Sequence, residues 1–326
     1  MELLLLEWLG KPVWMWAGFL MVVIALLALD LGLFNRRDHE IGVRESLTLS
    51  AFYIAVALAF GAWLWSSQGA DSAVEYLTAY AVEKSLAMDN VFVIALIFSA
   101  FSVPRLYQHR VLFWGVLGVI VLRAIMIGGG AVLVARYHWV LYLFAGFLIL
   151  TGVKMFFARG EETDIADNAL LKWFRRRMRV TNDLHGHAFF VRTQSRRSGE
   201  VKLHATPLFL ALVTIEIADV IFAVDSVPAV FAITTDAYVV YTSNIFAILG
   251  LRALYFALAA VIHRFAYLKQ ALAVLLVFIG GKVFAAPLLG IEKVPPAVSL
   301  SVTAAILATG VVWSLWRTRA EAGPPR

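Results

Sequence analysis

Apolar residues run through this chain in long blocks broken by short polar stretches, not at the three-to-four spacing of a soluble amphipathic helix. A bilayer core asks for roughly 20 such residues per helix. Nine segments meet that need: 13–34, 48–66, 73–100, 109–135, 139–158, 206–233, 242–264, 268–290 and 296–317. The pattern predicts an all-α polytopic membrane protein. Its one long polar connection, 159–204, divides the chain into two N-terminal helices (1–70), three helices (71–158), the connection itself, three more helices (205–290), and a last helix with its tail (291–326).

Composition agrees. Of 326 residues, 61% are hydrophobic and 15% charged, with mean hydropathy +0.81, too apolar for a soluble domain. The net charge of +6 would suggest nucleic acid in a soluble protein, but here the basic residues follow the loops. One set of alternate loops and ends carries Arg36, Arg37, Arg44, Arg105, Arg110, ten residues between 159 and 204, Arg264, Lys269, Arg317, Arg319 and Arg326. The other carries Lys11, Arg136 and Lys293. The positive-inside rule then puts the N-terminus outside and the C-terminus in the cytoplasm of a bacterial inner membrane, with no nucleic-acid partner. Cysteine is absent, which excludes disulfides and thiol chemistry. The start, MELLLLEWLGKPVW, has Glu2 and Glu7 where a signal peptide wants positive charge, so it is read as uncleaved.

Within 159–204, NALLKWFRRRMRV suits either a helix lying on the anionic inner leaflet or a plain topology determinant, and His185 and His187 read as solvated loop.

Two stretches break the apolar pattern alike: EKSLAMDNV (83–91) and DVIFAVDSV (219–227). Glu83 and Asp89 align with Asp219 and Asp225, Leu122-Arg123-Ala124 with Leu251-Arg252-Ala253, and Gly152, Lys154 and Phe156 with Gly280, Lys282 and Phe284. The offset changes only in loops, as a structural repeat requires. A three-helix unit puts its copy in the membrane upside down, so the pattern predicts an inverted repeat with a site near midplane where the halves meet.

An ionised group at the bilayer centre costs on the order of 2.5–3.5 kcal/mol on insertion scales, so each needs a partner, a proton or water. Glu83 to Asp89 and Asp219 to Asp225 are six apart, about 600° of helix, so they do not share a face. Either the helix unwinds there, as Pro228 would favour in the second copy, or the two acids serve different neighbours. The candidate ligands are all oxygen: Glu83, Asp89, Asn90, Glu216, Asp219, Asp225 and Ser226. Oxygen suits hard divalent cations such as Mn²⁺, Ca²⁺ and Mg²⁺. Arg123, Arg252, Lys84, Lys154 and Lys282 are the candidate counter-charges, and the competing reading is a set of buried ion pairs. Asp30, in ALDLGLFNRR, is expected to pair locally with Arg36 or Arg37.

EKSLAMDNVFV, IEIADVIFAVDSVPAVFAIT, SNIFAILGLRALYF and the pair TGVKMFF and FIGGKVF resemble the TerC family of bacterial integral membrane proteins, its Alx branch in particular. The likeness extends over nearly the whole chain. It implies a nine-helix inner-membrane protein related to the lysine-exporter superfamily of cation exporters, with a role in Mn²⁺ efflux. The family's acidic motifs fall on Glu83, Asp89 and Asn90, and on Glu216, Asp219, Asp225 and Ser226, with Ala218 where many relatives have Ser.

The expected activity is export of a divalent cation, Mn²⁺ foremost, as transported substrate, with no organic cofactor and no enzymatic step. Proton or ion exchange would drive it, since no GxxxxGK[ST] motif is present. Three other readings stand beside it. One is an accessory protein for metalation or insertion of exported partners. Another is tellurium oxyanion handling by Arg123 and Arg252. The third is an intramembrane aspartyl hydrolase, for which the GxGD motif is missing.

Overall fold

The computed structural model describes residues 7–32, 42–137, 139–157, 180–181, 184–194, 201–258, 268–291 and 294–321. The basic segment 168–180 therefore lies almost wholly outside the described residues, as do Arg36 and Arg37.

Ten helices make up nearly all of it: α1 (Val13–Gly32), α2 (Val43–Gln68), α3 (Ala70–Ala100), α4 (Arg105–Arg136), α5 (Trp139–Phe157), α6 (Pro207–Phe231), α7 (Ala237–Leu249), α8 (Leu251–Leu258), α9 (Leu268–Leu288) and α10 (Pro296–Glu321). Helices are what lipid demands, because each satisfies its own backbone groups. Among the described residues eight spans are long and apolar enough to cross a bilayer, α7 and α8 forming one of them. Helix α3 is not among the eight, since Asp71, Glu75, Glu83, Lys84 and Asp89 interrupt its apolar run. It is instead wrapped by protein: it packs against α2, α6, α7 and α10, and Ala73, Tyr76, Ala79, Val82 and Val91 are buried. Met21, Ile24, Leu150, Phe157 and Val312 are exposed, the inside-out pattern of a chain solvated by lipid. This is an all-α polytopic membrane protein.

Two short antiparallel ribbons complete the described fold: β1 (Glu7–Trp8) with β2 (Lys11–Pro12), and β3 (Phe190–Gln194) with β4 (Val201–Ala205). The first pins one end of the bundle. Lys11 Nζ lies 2.9 Å from Asp236 Oδ2 in the α6–α7 loop and also bonds Gln68 at the end of α2, while Leu9 packs with Val134, Val140 and Ala237. Behind it, Trp16 and Phe19 of α1, Phe60 of α2, Tyr76 of α3 and Tyr238 and Phe246 of α7 form one aromatic cluster. Trp8, Trp14, Trp65 and Trp139 are exposed around this end, where a membrane-interface belt of amphipathic rings would sit.

Neither acidic helix is unwound. Both α3 and α6 stay helical throughout, Pro228 included. A proline removes one hydrogen bond, and the packed neighbours hold the rest of the helix in place.

Helices α5 and α9 cross on two glycines. A Cβ on Gly152 would meet the Ala273 carbonyl oxygen at 2.7 Å and Val277 Cγ2 at 2.8 Å; a Cβ on Gly280 would meet the Ala145 carbonyl oxygen at 2.5 Å and Ile149 Cγ1 at 2.9 Å. One shift of 128 residues converts the first contact into the second: Gly152 to Gly280, Ala145 to Ala273, Ile149 to Val277. Close approach of this kind is how membrane helices gain packing energy without a hydrophobic drive. Gly280→Val must push the two backbones apart. We expect it to lower the midpoint of detergent-solubilised unfolding by several degrees, with Gly281→Val, where a Cβ meets nothing within 4 Å, as the neutral control.

Candidate functional site

The middle of the bundle is organised by one arginine. Arg123, halfway along α4, is 1% exposed. Its Nη1 donates to Glu83 of α3, to Ser226 Oγ of α6 at 2.9 Å and to Asn244 Oδ1 of α7 at 2.7 Å. Its Nε and Nη2 face Asp219 Oδ2 and Oδ1 of α6, each at 3.3 Å. A guanidinium offers five donors in a fixed fork, so a single side chain can hold two carboxylates on different helices. Glu83 and Asp219 are 1% and 6% exposed. With both ionised, the group carries one net negative charge in a lipid-shielded interior.

The spacing of six along each helix is resolved by different neighbours. Glu83 and Asp219 turn to Arg123, whereas Asp225 accepts from Thr151 Oγ1 of α5 at 3.4 Å. Glu216, one turn before Asp219, lies against α4, where a Cβ on Gly118 would come within 2.6 Å of its Cδ. Its Oε2 is buried with no hydrogen-bond partner, as is Oε2 of Glu83. Such orphaned oxygens cost free energy unless something is meant to reach them.

The second arginine takes a different acid. Arg252 of α8 pairs with Asp30 of α1, both buried. Asp30 thus has a partner 222 residues away, a charge already held in the core, while the expected local partners Arg36 and Arg37 lie outside the described residues. Arg252, Asp219 and Asn90 line a small cavity of about 20 Å³ together with Val93, Gly115 and Phe222, room for one water-sized particle.

A larger cavity, about 430 Å³, opens at the end pinned by β1 and β2; its lining includes Glu75, Thr78, Thr234, Asp236, Lys282 and Val283. Lys282 Nζ donates to Ser299 Oγ at 2.9 Å there. Lys84 donates to the Ala247 carbonyl at 3.2 Å, not to a carboxylate, and Lys154 is exposed near the end of α5. Asp89 sits on α3, but its side chain lies outside the described ones. His185 and His187 are exposed in a turn. Among the described residues no three His, Asp or Glu side chains converge as a preformed metal cage. Arg123 occupies the place where the acids of α3 and α6 meet.

Asn244 was not anticipated. A buried amide in the apolar run AYVVYTSNIFAIL was its only sequence signal.

With the site in place, comparison defines the class. Residues 68–322 match the integral membrane protein TerC family, and the chain belongs to that family. Among its relatives, an uncharacterized membrane protein of Myxococcus xanthus is 48% identical over 310 residues, spanning 95% of this chain and 94% of the relative. The putative membrane-bound redox modulator Alx of Escherichia coli strain K12 is 46% identical over 316 residues, spanning 94% and 95%. An uncharacterized membrane protein of Rickettsia bellii is 46% identical over 302 residues, spanning 93% and 97%. No solved structure matches the chain.

Proposed function

We propose that the chain is a secondary transporter that exports a hard divalent cation, Mn²⁺ foremost, through the midplane group of Glu83, Asp219 and their neighbours. The observation that carries this reading is the excess of buried acid around Arg123: two carboxylates share one guanidinium, and both Glu83 and Glu216 keep a buried oxygen without a partner. A static structural role would be served by a balanced, fully bonded pair. An all-oxygen set of carboxylates, Asn90 and Ser226 suits Mn²⁺, Mg²⁺ or Ca²⁺ over thiolate-seeking metals.

Arg123 then stands in for the cargo. While no metal is bound, the guanidinium bonds both Glu83 and Asp219; an incoming cation competes for the same oxygens, with Asn90 beside Asp219 as a further ligand and Asp225 and Asp89 as acids along its path. Exchanging one cation for another avoids baring two carboxylates inside the membrane. The reciprocal contact of Gly152 and Gly280 supports the inverted repeat, and the loop charges support an N-terminus outside and a cytoplasmic C-terminus.

Carboxylates hold a metal only when ionised, so metal binding should strengthen as pH rises and release protons where they were protonated before. Isothermal titration of Mn²⁺ into purified protein, in two buffers of different ionisation enthalpy, counts those protons. The expected result is a count above zero; a count of zero would remove proton exchange from this account. A thiol-based redox role has no residue to run on here, because the chain contains no cysteine.

A further inference from the structure

We infer that Arg123 and Arg252 take turns on the Glu83 and Asp219 carboxylates, and that the Asp30 ion pair holds Arg252 off them in the conformation seen here. The inference rests on the export reading of the midplane acids and adds a residue to it: Arg252 is a positioning group for the transport cycle.

Repeat correspondence leads there first. Glu83 and Asp219 are each other's counterparts, and Leu122-Arg123-Ala124 matches Leu251-Arg252-Ala253. If the two halves exchanged conformations, as inverted-repeat transporters do when access alternates, the same two acids would face each other, but Arg252 would hold them. The reciprocal contacts of α5 and α9 are already related by such an exchange. At Arg123 and Arg252 the relation is broken, because one arginine bonds both acids and the other bonds Asp30.

Geometry allows the swap. Arg252 and Asp219 line the same small cavity, so no helix stands between them. Oε2 of Glu83 is buried and unbonded, an acceptor left open for a second guanidinium or a cation. The wider asymmetry follows suit: Val283 of α9 lines the 430 Å³ cavity, while its counterpart, Met155 of α5, packs against the cluster of Leu148, Leu272 and Ile279. Asp30 belongs to α1, before the first repeat, and so has no counterpart of its own. A latch outside the repeats is what an internally symmetric machine needs to favour one of its two states, and losing it shifts the population by the free energy it supplied.

The test reads conformation without cargo. The chain has no cysteine, so Val283→Cys and Met155→Cys are single reporters as they stand. Each is labelled with a membrane-impermeant maleimide in vesicles of both orientations. In the parent, Val283→Cys should label fast and Met155→Cys slowly. Adding Asp30→Asn takes the Asp30 carboxylate from Arg252, so the preference should move severalfold toward Met155→Cys. The double change Asp30→Asn with Arg252→Gln leaves no arginine to take the acids, so it should return to the parent pattern. Should Asp30→Asn not accumulate in membranes, Arg123→Lys carries the same test. An ammonium lacks the fork that bridges two carboxylates, so Arg252 should win the acids and Met155→Cys labelling should rise, but not when Arg252→Gln is also present. Unchanged labelling in the single variants, or an equal shift with and without Arg252, overturns the inference. A protein that shifts its labels but moves no manganese keeps the switch and loses the export reading; one that transports manganese while its labels stay fixed loses the switch alone.

Discussion

Arg123→Gln should deplete the protein from the membrane. The substitution strips two buried carboxylates of the group that bonds both, together with the donor to Ser226 and Asn244. Breaking a buried pair from one side costs about 3–5 kcal/mol, because the remaining charge has nowhere to go. A marginally stable fold has only about 5–15 kcal/mol to lose. Immunoblotting of membranes, with thermal unfolding in detergent, should find low accumulation and a lower midpoint. Combining Arg123→Gln with Glu83→Gln and Asp219→Asn removes the bare charges and should restore most of the accumulation without restoring transport. Normal levels of the single variant, with only transport lost, would mean that Arg123 serves the mechanism and not the fold.

Asp219→Asn should do the opposite. It removes one charge with almost no change of shape, and Glu83 remains to pair with Arg123, leaving a neutral group that the fold tolerates better than the parent one. What disappears is the surplus negative charge that draws a cation into the membrane interior. Cells carrying this variant should accumulate it at near-parent levels and be as sensitive to external Mn²⁺ as cells without the protein. Asp225→Asn, whose hydrogen-bond partner among the described residues is Thr151, should likewise spare the fold and abolish export. Parent-like manganese tolerance in both variants would move the cation path away from α6.

The sequence made the membrane architecture legible because lipid leaves so little choice: a run of about 20 apolar residues has to be a helix. It also exposed Glu83, Asp219, Arg123 and Arg252, since charges inside such runs are costly and few. What it could not disclose was who meets whom. Arg252 and Asp30 are 222 residues apart, and local logic favoured Arg36 or Arg37. The choice between an unwound helix and separate neighbours also needed coordinates: α6 remains helical past Pro228, and Asp225 turns to Thr151 on α5. Asn244 went unnoticed because an amide in an apolar helix is a weaker signal than a charge. The β3–β4 ribbon lay hidden in a connection whose basic residues drew attention to topology instead.

Uptake of individual metals into proteoliposomes of the purified protein, with and without an imposed pH gradient, tests the central claim most directly. The account predicts Mn²⁺ movement that needs the protein, grows with the proton gradient, is outcompeted by no thiolate-seeking metal, and vanishes in Asp219→Asn. Vesicles in which no divalent metal moves, or in which Asp219→Asn moves Mn²⁺ as fast as the parent, would contradict it.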